Sequence, residues 1–140
     1  MNKPFIWPVR VYYEDTDAGG VVFYANYLKY MERARTELLR AKGFEQDELM
    51  VNEGIIFAVR SLQIEYIKPA HFNHLLQVSA EIKNTKKASL EFSQKITHDN
   101  NLLVTSEVRI ACLDVITMKP RAIPQNLLEQ FNLEQKTHEY

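Results

Sequence analysis

One amphipathic helix constrains the fold of this chain more than any other feature. Five apolar side chains recur at spacings of four, three, four and three, as one helical face requires: Tyr27, Met31, Ala34, Leu38 and Ala41. Gly43 follows a basic last turn and is a natural stop for the helix. The pattern therefore predicts one long helix over residues 25–42, and its apolar stripe needs a second layer to pack against.

Alternating apolar and polar residues downstream predict that second layer. Four later segments show the period of a half-buried strand, and a first strand is predicted over residues 6–13, before the helix. In the first of the four, the apolar parity switches between residues 57–59 and 62–66, which predicts a bulge near Arg60 and Ser61. A strand, a long helix and four strands with hairpin connections form an α+β pattern, with the helix covering an antiparallel sheet.

The length of 140 residues fits one domain, which we predict over residues 1–133. Pro124 stands at a possible first position of a brief C-terminal helix, and residues 134–140 are predicted to form a flexible tail. The N-terminus lacks the apolar run of a signal peptide, and no apolar stretch is long enough to span a membrane. With Cys112 as the single cysteine, these features predict a cytoplasmic protein.

The charge balance restricts the classes of partner. Seventeen Lys and Arg residues against 18 Asp and Glu residues give a net charge of -1, whereas a general nucleic-acid binder needs a basic excess. No glycine-rich phosphate motif is present, so nucleotide hydrolysis has no support. His71 and His74 lie three positions apart, but without a third ligand nearby we expect no metal site.

The turn of acids and glycines at residues 14–20 is the most informative place for chemistry. Asp17 lies a few residues before the predicted helix, separated from it by Gly19 and Gly20. The first N–H groups of a helix have no helical acceptor and carry partial positive charge, so they can bind an oxyanion. A carboxylate and such donors could act together on one carbonyl group. Alternatively, Asp15, Thr16 and Asp17 only cap a turn or a helix.

The wider sequence around this turn carries a resemblance. Residues 11–22 read VYYEDTDAGGVV, and residues 25–27 and 31–35 continue as ANY and MERAR. This string closely resembles the hotdog-fold acyl-CoA thioesterases, and within them the YbgC-type, Tol–Pal-associated branch. The resemblance runs over nearly the whole chain, including MKPRAIP at residues 118–124. The Asp-Thr-Asp-x-x-Gly-x-Val signature at residues 15–22 is its most specific part.

The resemblance implies a hotdog fold and the hydrolysis of an acyl-CoA to the free acid and CoA. It makes Asp17 the catalytic carboxylate, acting as nucleophile or as general base, and the backbone N–H of Tyr24 the oxyanion donor. YbgC-type members typically carry Tyr-His where this chain has Phe23-Tyr24, a pair similar to that of the 4-hydroxybenzoyl-CoA thioesterases. No separate cofactor is implied, because CoA is part of the substrate.

Charge and family position also suggest contacts and partners. Five basic residues are candidates for the phosphates of CoA: Arg60, Lys86, Lys87, Lys119 and Arg121. Hotdog proteins of this kind pair two sheets into a dimer with sites at the interface, and often form tetramers, so we expect a homodimer or homotetramer. The resemblance also suggests a link to the Tol–Pal envelope system or to lipid metabolism. Two alternatives stay open: a non-catalytic acyl- or protein-binding module, and another hotdog enzyme such as a dehydratase.

Overall fold

A single antiparallel sheet carries the long helix on one face. The computed structural model describes residues 4–138, with side chains through Asn132. The elements, in chain order, are β1 (Phe5–Arg10), a 3-10 turn (Tyr13–Asp15), α1 (Asn26–Ala41), α2 (Gln46–Glu48), a π-helical turn (Leu49–Glu53), β2 (Ile55–Tyr66), β3 (Leu75–Thr85), β4 (Ser89–His98), β5 (Asn101–Asp114) and α3 (Gln125–His138). The strand order is β1-β3-β4-β5-β2, and every pairing is antiparallel. The predicted α+β architecture is confirmed.

The predicted hairpin between the second and third strands is wrong. β2 pairs with β5 at one edge of the sheet, and residues 67–74 carry the chain across to β3, which pairs with β1 and β4. Alternation identifies the buried face of each strand but not its neighbour. β5 spans 14 residues and is long enough to pair along the whole of β2.

The bulge in β2 is confirmed, and it determines which side chains of β2 lie on the helix-facing side of the sheet. The register shifts between Val59, which lies opposite Ile110, and Ser61, which lies opposite Arg109. The apolar residues on both sides of the shift lie opposite buried residues of β5, in the pairs Phe57–Cys112, Val59–Ile110, Leu62–Val108 and Tyr66–Val104. Since opposite residues share a face, the bulge keeps both apolar runs of β2 toward α1.

The core lies between α1 and the inner face of the sheet. The buried side chains of α1 are Tyr27, Tyr30, Met31, Ala34, Leu38 and Leu39. They pack in one cluster with the inward residues of β3, β4 and β5. Each fully buried aliphatic side chain contributes roughly 1.5–3 kcal/mol to folding, so this layer fixes the position of α1 and of its N-terminus.

Two boundaries differ from the prediction. β1 ends at Arg10, because residues 13–15 form a 3-10 turn instead of extending the strand. Where a tail from residue 134 was predicted, α3 continues to His138, and positions 139–140 lie outside the described residues. Over residues 4–138, no helix has the length and apolar character needed to cross a bilayer.

Candidate active site

Asp17 lies in a tight loop that closes on itself. Its backbone N–H donates to the Val21 carbonyl at 2.9 Å, and its carbonyl accepts from the Gly20 N–H at 3.0 Å. The Asp17 side chain is exposed, and its Oδ1 accepts the Gly19 N–H at 2.9 Å. Gly20 has a φ of 77°, in the left-handed region that favours glycine. The adjacent glycines therefore serve the conformation of this loop and the position of the Asp17 carboxylate.

The carbonyl of Asp15 ties this loop to the start of α1. It accepts the Phe23 N–H and the side-chain N–H of Asn26, both at 2.9 Å. The Asp15 carboxylate accepts the Tyr12 N–H at 2.9 Å within the 3-10 turn. Asp15 thus holds local structure, which is the capping role considered for these acids, and the loop of Asp17 is fixed relative to the helix.

No side chain that the structure describes caps the N-terminus of α1. The capping position is Ala25, and no acidic residue lies in the first turn. Across the described residues, the backbone N–H groups of Tyr24 and Ala25 have no acceptor within the chain. The Tyr24 side chain is 63% exposed, so this end of the helix is open to a ligand. The arrangement can stabilise negative charge on a carbonyl oxygen placed there.

A histidine-containing loop packs against the loop of Asp17. Val22 donates its N–H to the Ala70 carbonyl at 2.8 Å, and Val21 forms an isolated antiparallel bridge with His71. The ring of His74 stacks on that of His98 with centroids 3.7 Å apart. The histidines are distant from the motif in sequence, so the spacing of residues 14–20 did not indicate this contact.

Tyrosines line an open cleft beside the helix start. The cleft has a volume of about 250 Å³ and is lined by Val22, Tyr24, Tyr27, Tyr66 and residues 67–69. The Tyr66 hydroxyl donates to the Tyr24 carbonyl at 3.3 Å, and the Tyr27 hydroxyl accepts the Ala70 N–H at 2.9 Å. Burial raises the pKa of both Tyr27 and Tyr66, which keeps these phenols protonated near neutral pH. Both phenols are therefore neutral, and an exposed carboxylate, that of Asp17, lies in the neighbouring loop.

Tyr30 contributes a buried hydroxyl below this cleft. It is 1% exposed, and its oxygen has no hydrogen-bond partner among the described residues. Burial, and then the neighbouring Asp15 carboxylate, raise the pKa of Tyr30 above its ordinary value. The phenol therefore stays neutral, and its apolar ring serves the core.

The structure brings Asp17 and Tyr24 to one end of the sheet and most of the predicted cations to the other. The Lys87 carbonyl accepts the Ile123 N–H, and Pro120 pairs with Leu113 at the end of β5, so residues 86–87 and 119–121 form one corner. Ten residues of β4 separate that corner from the end near Asp17, a distance on the order of 30 Å. Within one chain these cations do not reach the Asp17 loop.

Arg60 and Arg121 have different surroundings. Arg60 is exposed midway along β2, at the bulge. Arg121 donates to the Gly54 carbonyl at 3.1 Å and lies 3.5 Å from the carboxylate of Asp114. Arg121 thus fastens the end of β5 to the start of β2, in addition to any contact with a ligand.

The cysteine and the histidines, the remaining candidates for chemistry, lie in surroundings typical of structural residues. Cys112 is fully buried in the core, and burial raises the pKa of its thiol to about 11. The parallel stack of His74 and His98 does not converge on a common point, and within the described residues no cluster of three metal-ligating side chains is found. The contributions of Asn26 and Tyr66 were not predicted. Asn26 entered the sequence analysis only within the ANY string that carries the resemblance, and Tyr66 only as an apolar strand residue.

Comparisons with known proteins agree with this architecture. The family model of the thioesterase superfamily matches residues 19–105. The acyl-CoA thioester hydrolase YbgC of Escherichia coli is 48% identical over 128 residues, which are 91% of this chain and 95% of that protein. The acyl-CoA thioesterase YbgC of Haemophilus influenzae is 42% identical over 94% of this chain and 97% of its own.

A solved structure gives the same result. The crystal structure of a probable thioesterase from Bartonella henselae has a TM-score of 0.83 and 37% identity, covering 87% of this chain and 100% of that one. The helix-over-sheet architecture, the loop before the helix and these similarities all lead to one family. This chain belongs to the thioesterase superfamily and has its hotdog fold.

Proposed function

We propose that this protein is an acyl-CoA thioesterase whose reaction takes place at the N-terminus of α1. The observation that carries the proposal is the open helix start, where the Tyr24 and Ala25 N–H groups have no acceptor among the described residues and the Asp17 loop is tied to the helix through Asp15. The thioester hydrolase activity of the YbgC relatives supports the same reaction class.

In the proposed reaction, the thioester carbonyl oxygen accepts the Tyr24 N–H, which stabilises the charge that develops on that oxygen. Asp17 either attacks the carbonyl carbon or removes a proton from an attacking water. In the first case the CoA thiolate leaves and a mixed anhydride forms, which water hydrolyses to the free acid and Asp17. In the second case the hydroxide adds directly, and the thiolate leaves with the proton that Asp17 accepted.

The experiment that tests this function is hydrolysis of a panel of acyl-CoAs of different chain length, including aromatic acyl groups. The release of free CoA thiol measures the rate. We expect turnover by the wild type and its loss across the panel in Asp17→Asn. Binding without turnover would favour a non-catalytic module, and conversion of a 3-hydroxyacyl-CoA to an enoyl-CoA without thiol release would favour a dehydratase. Transfer of ¹⁸O from water into the Asp17 carboxylate during turnover would assign the nucleophilic role.

We further propose that the active unit is a dimer built through β2. This strand is one edge of the sheet, and edges invite pairing. It runs from the corner of the basic residues to the end near Asp17. In a two-fold antiparallel pair of β2 strands, the basic corner of one subunit would therefore lie beside Asp17 of the other. Such a pair would bring the CoA phosphates within reach of Lys86, Lys87, Lys119 and Arg121.

Mixing inactive variants tests this composite site. Asp17→Asn chains lack the carboxylate, and Lys86→Ala/Lys87→Ala chains lack two of the predicted phosphate contacts. A mixed dimer would contain one site with both lesions and one site with none, so co-refolding the two variants should restore activity. A lack of recovery, or a monomeric active species in sedimentation, would contradict the arrangement. Sedimentation also distinguishes the dimer from the predicted homotetramer.

The location and the physiological partner remain predictions from the sequence. Cell fractionation tests the cytoplasmic location. Co-purification with Tol–Pal components, compared with the acyl-CoA profile of a deletion strain, tests the suggested link to the envelope against a role in lipid metabolism.

A further inference from the structure

A second cleft lies further along α1 from the helix start. Leu28, 37% exposed, lies four positions after Tyr24, and Glu32, Arg35 and Leu39 continue the same stripe at spacings of four, three and four. Beyond Leu28 this stripe borders this cleft of about 200 Å³. The other side of that cleft is mainly apolar and consists of Phe57, Val59, Leu90, Phe92 and Ile110.

β2 borders both clefts. Tyr66 lines the cleft at the helix start, and Val59, 55% exposed, lines the second one. Because the bulge keeps both residues on the helix-facing side, the two clefts follow one line between α1 and β2. An extended acyl chain whose carbonyl lies at the Tyr24 N–H would follow this line toward Arg35.

Arg35 is the cationic side chain of the second cleft, and a buried amide orients it. Its Nη1 donates to the Gln94 Oε1 at 2.9 Å. Gln94 is 1% exposed, and its amide nitrogen donates to the carbonyls of Met31 at 3.0 Å and Ser79 at 3.1 Å. Both donors of the amide are used, so its oxygen is fixed toward Arg35. A guanidinium has five N–H donors, and this contact uses one of them.

No carboxylate among the described side chains forms an ion pair with Arg35. Glu32, one helical turn away on the rim of the same cleft, is exposed and opposes only part of the effect of burial, which lowers the pKa of Arg35. A partly buried cation without a counter-ion is costly, and an anion in the cleft would offset that cost.

We propose that the second cleft receives the distal end of the acyl group and that Arg35 binds a carboxylate there. This inference rests on the proposed function and names its substrate class, the CoA thioesters of dicarboxylic acids. Residue 35 lies roughly 16 Å beyond residue 24 along the helix axis, and helical side chains incline toward the N-terminus. The distance suits an acyl chain of medium length. The apolar walls contact its methylene groups, and the fixed guanidinium donates hydrogen bonds to its terminal carboxylate.

The test compares matched substrates. For chains of six to ten carbons, kcat/KM is measured for each ω-carboxyacyl-CoA and for the straight-chain acyl-CoA of the same length. A charge-assisted contact of this kind predicts a wild-type preference of roughly 10- to 100-fold for the carboxylate at the best length. Arg35→Gln should remove the preference, and Arg35→Lys should keep part of it. Arg33→Gln, a neighbouring exposed cation on the same helix, is the matched control and should leave it unchanged.

Equal hydrolysis of both substrate series by the wild type would overturn the inference and leave the proposed function intact. A uniform loss of activity in Arg35→Gln, without a change in the preference, would show a purely structural role and would also overturn it. The ratio of dissociation constants for suberoyl-CoA and octanoyl-CoA, measured with Asp17→Asn, gives a readout without turnover. Carboxylate-dependent binding that requires Arg35, together with no hydrolysis of any acyl-CoA, would reject the proposed function and support this site.

Discussion

The two ends of α1 are built in opposite ways. At the C-terminus, the Phe44 N–H donates to the Leu39 carbonyl and the Gly43 N–H to the Arg40 carbonyl, both at 3.0 Å, which is a Schellman motif with Gly43 at a φ of 92°. At the N-terminus no side chain caps the helix, and the Tyr24 N–H has no acceptor in the described chain.

This difference separates stability from chemistry along one element. A satisfied helix end contributes to folding and offers nothing to a ligand. An open end forgoes a cap, which is typically worth about 1 kcal/mol, and retains donors for a substrate. Changes at the N-terminal end should therefore alter turnover, whereas changes at the C-terminal end should alter stability alone.

The largest effect is expected from removing the N–H at the open end. Tyr24→Pro deletes this donor at the second position of the turn that the Asn26 N–H closes on the Phe23 carbonyl, where the φ of proline is favoured, and loss of one oxyanion donor lowers kcat by roughly 100- to 1,000-fold. Tyr24→Phe keeps the N–H and should retain turnover. Steady-state hydrolysis of an acyl-CoA checks both variants, and near-wild-type kcat in Tyr24→Pro would remove this N–H from the mechanism.

A smaller effect, on stability only, is expected at the closed end. Gly43→Ala places a Cβ in open space but forces a left-handed backbone on a residue that disfavours it, which costs about 1 kcal/mol. Denaturant unfolding should show this loss while kcat stays unchanged. A loss of kcat in Gly43→Ala, measured at a temperature where both proteins are fully folded, would contradict this distinction between the two ends.

The histidine loop makes the N-terminal end sensitive to pH. Burial, and then His98 and His71, lower the pKa of His74, while Asp99 opposes them. The unfolded chain therefore binds more protons than the folded chain just below the ordinary histidine pKa of about 6.5. The free energy of unfolding should be highest above that pH. It should fall as the pH drops toward the lower pKa of His74 in the folded protein.

Thermal unfolding between pH 5 and 8 measures this dependence. The His74 Nδ1 accepts the His71 N–H at 3.2 Å, so His74→Asn is the variant that offers an acceptor in a similar place without titrating. We expect a weaker decline toward acid pH in this variant. An identical slope in both proteins would show that His74 is not the responsible group.

The smallest effect is expected from the ion pairs at the closed end. Arg40 donates to both Glu37 and Glu45 on the surface, where solvent screens such pairs. Arg40→Ala should change stability only slightly and leave kcat unchanged. Unfolding at low and high salt checks this, because a large effect independent of salt would indicate a contribution beyond surface electrostatics.

The sequence predicted those features that are local. The spacing of apolar residues predicted α1, and the parity switch between residues 57–59 and 62–66 predicted the bulge of β2, because both are properties of one continuous segment. The signature at residues 15–22 indicated the site, since the loop and the helix start are adjacent in the chain.

Features that depend on which segments meet in space were not predicted. Alternation does not identify strand neighbours, so the pairing of β2 with β5 was missed. The same limit concealed the separation of Lys86 from Asp17, the contact of His71 with Val21, and the buried amide that orients Arg35. Each of these follows from the strand order, which no single segment encodes.

The most direct test of the central claim is the kcat of Asp17→Asn. Oxygen and nitrogen differ little in size, so the Gly19 N–H keeps an acceptor and the loop should stay folded, with an unchanged melting temperature. We expect kcat for acyl-CoA hydrolysis to fall by at least ~100-fold, while the dissociation constant for the acyl-CoA changes little. Near-wild-type turnover by the purified, folded variant would contradict it.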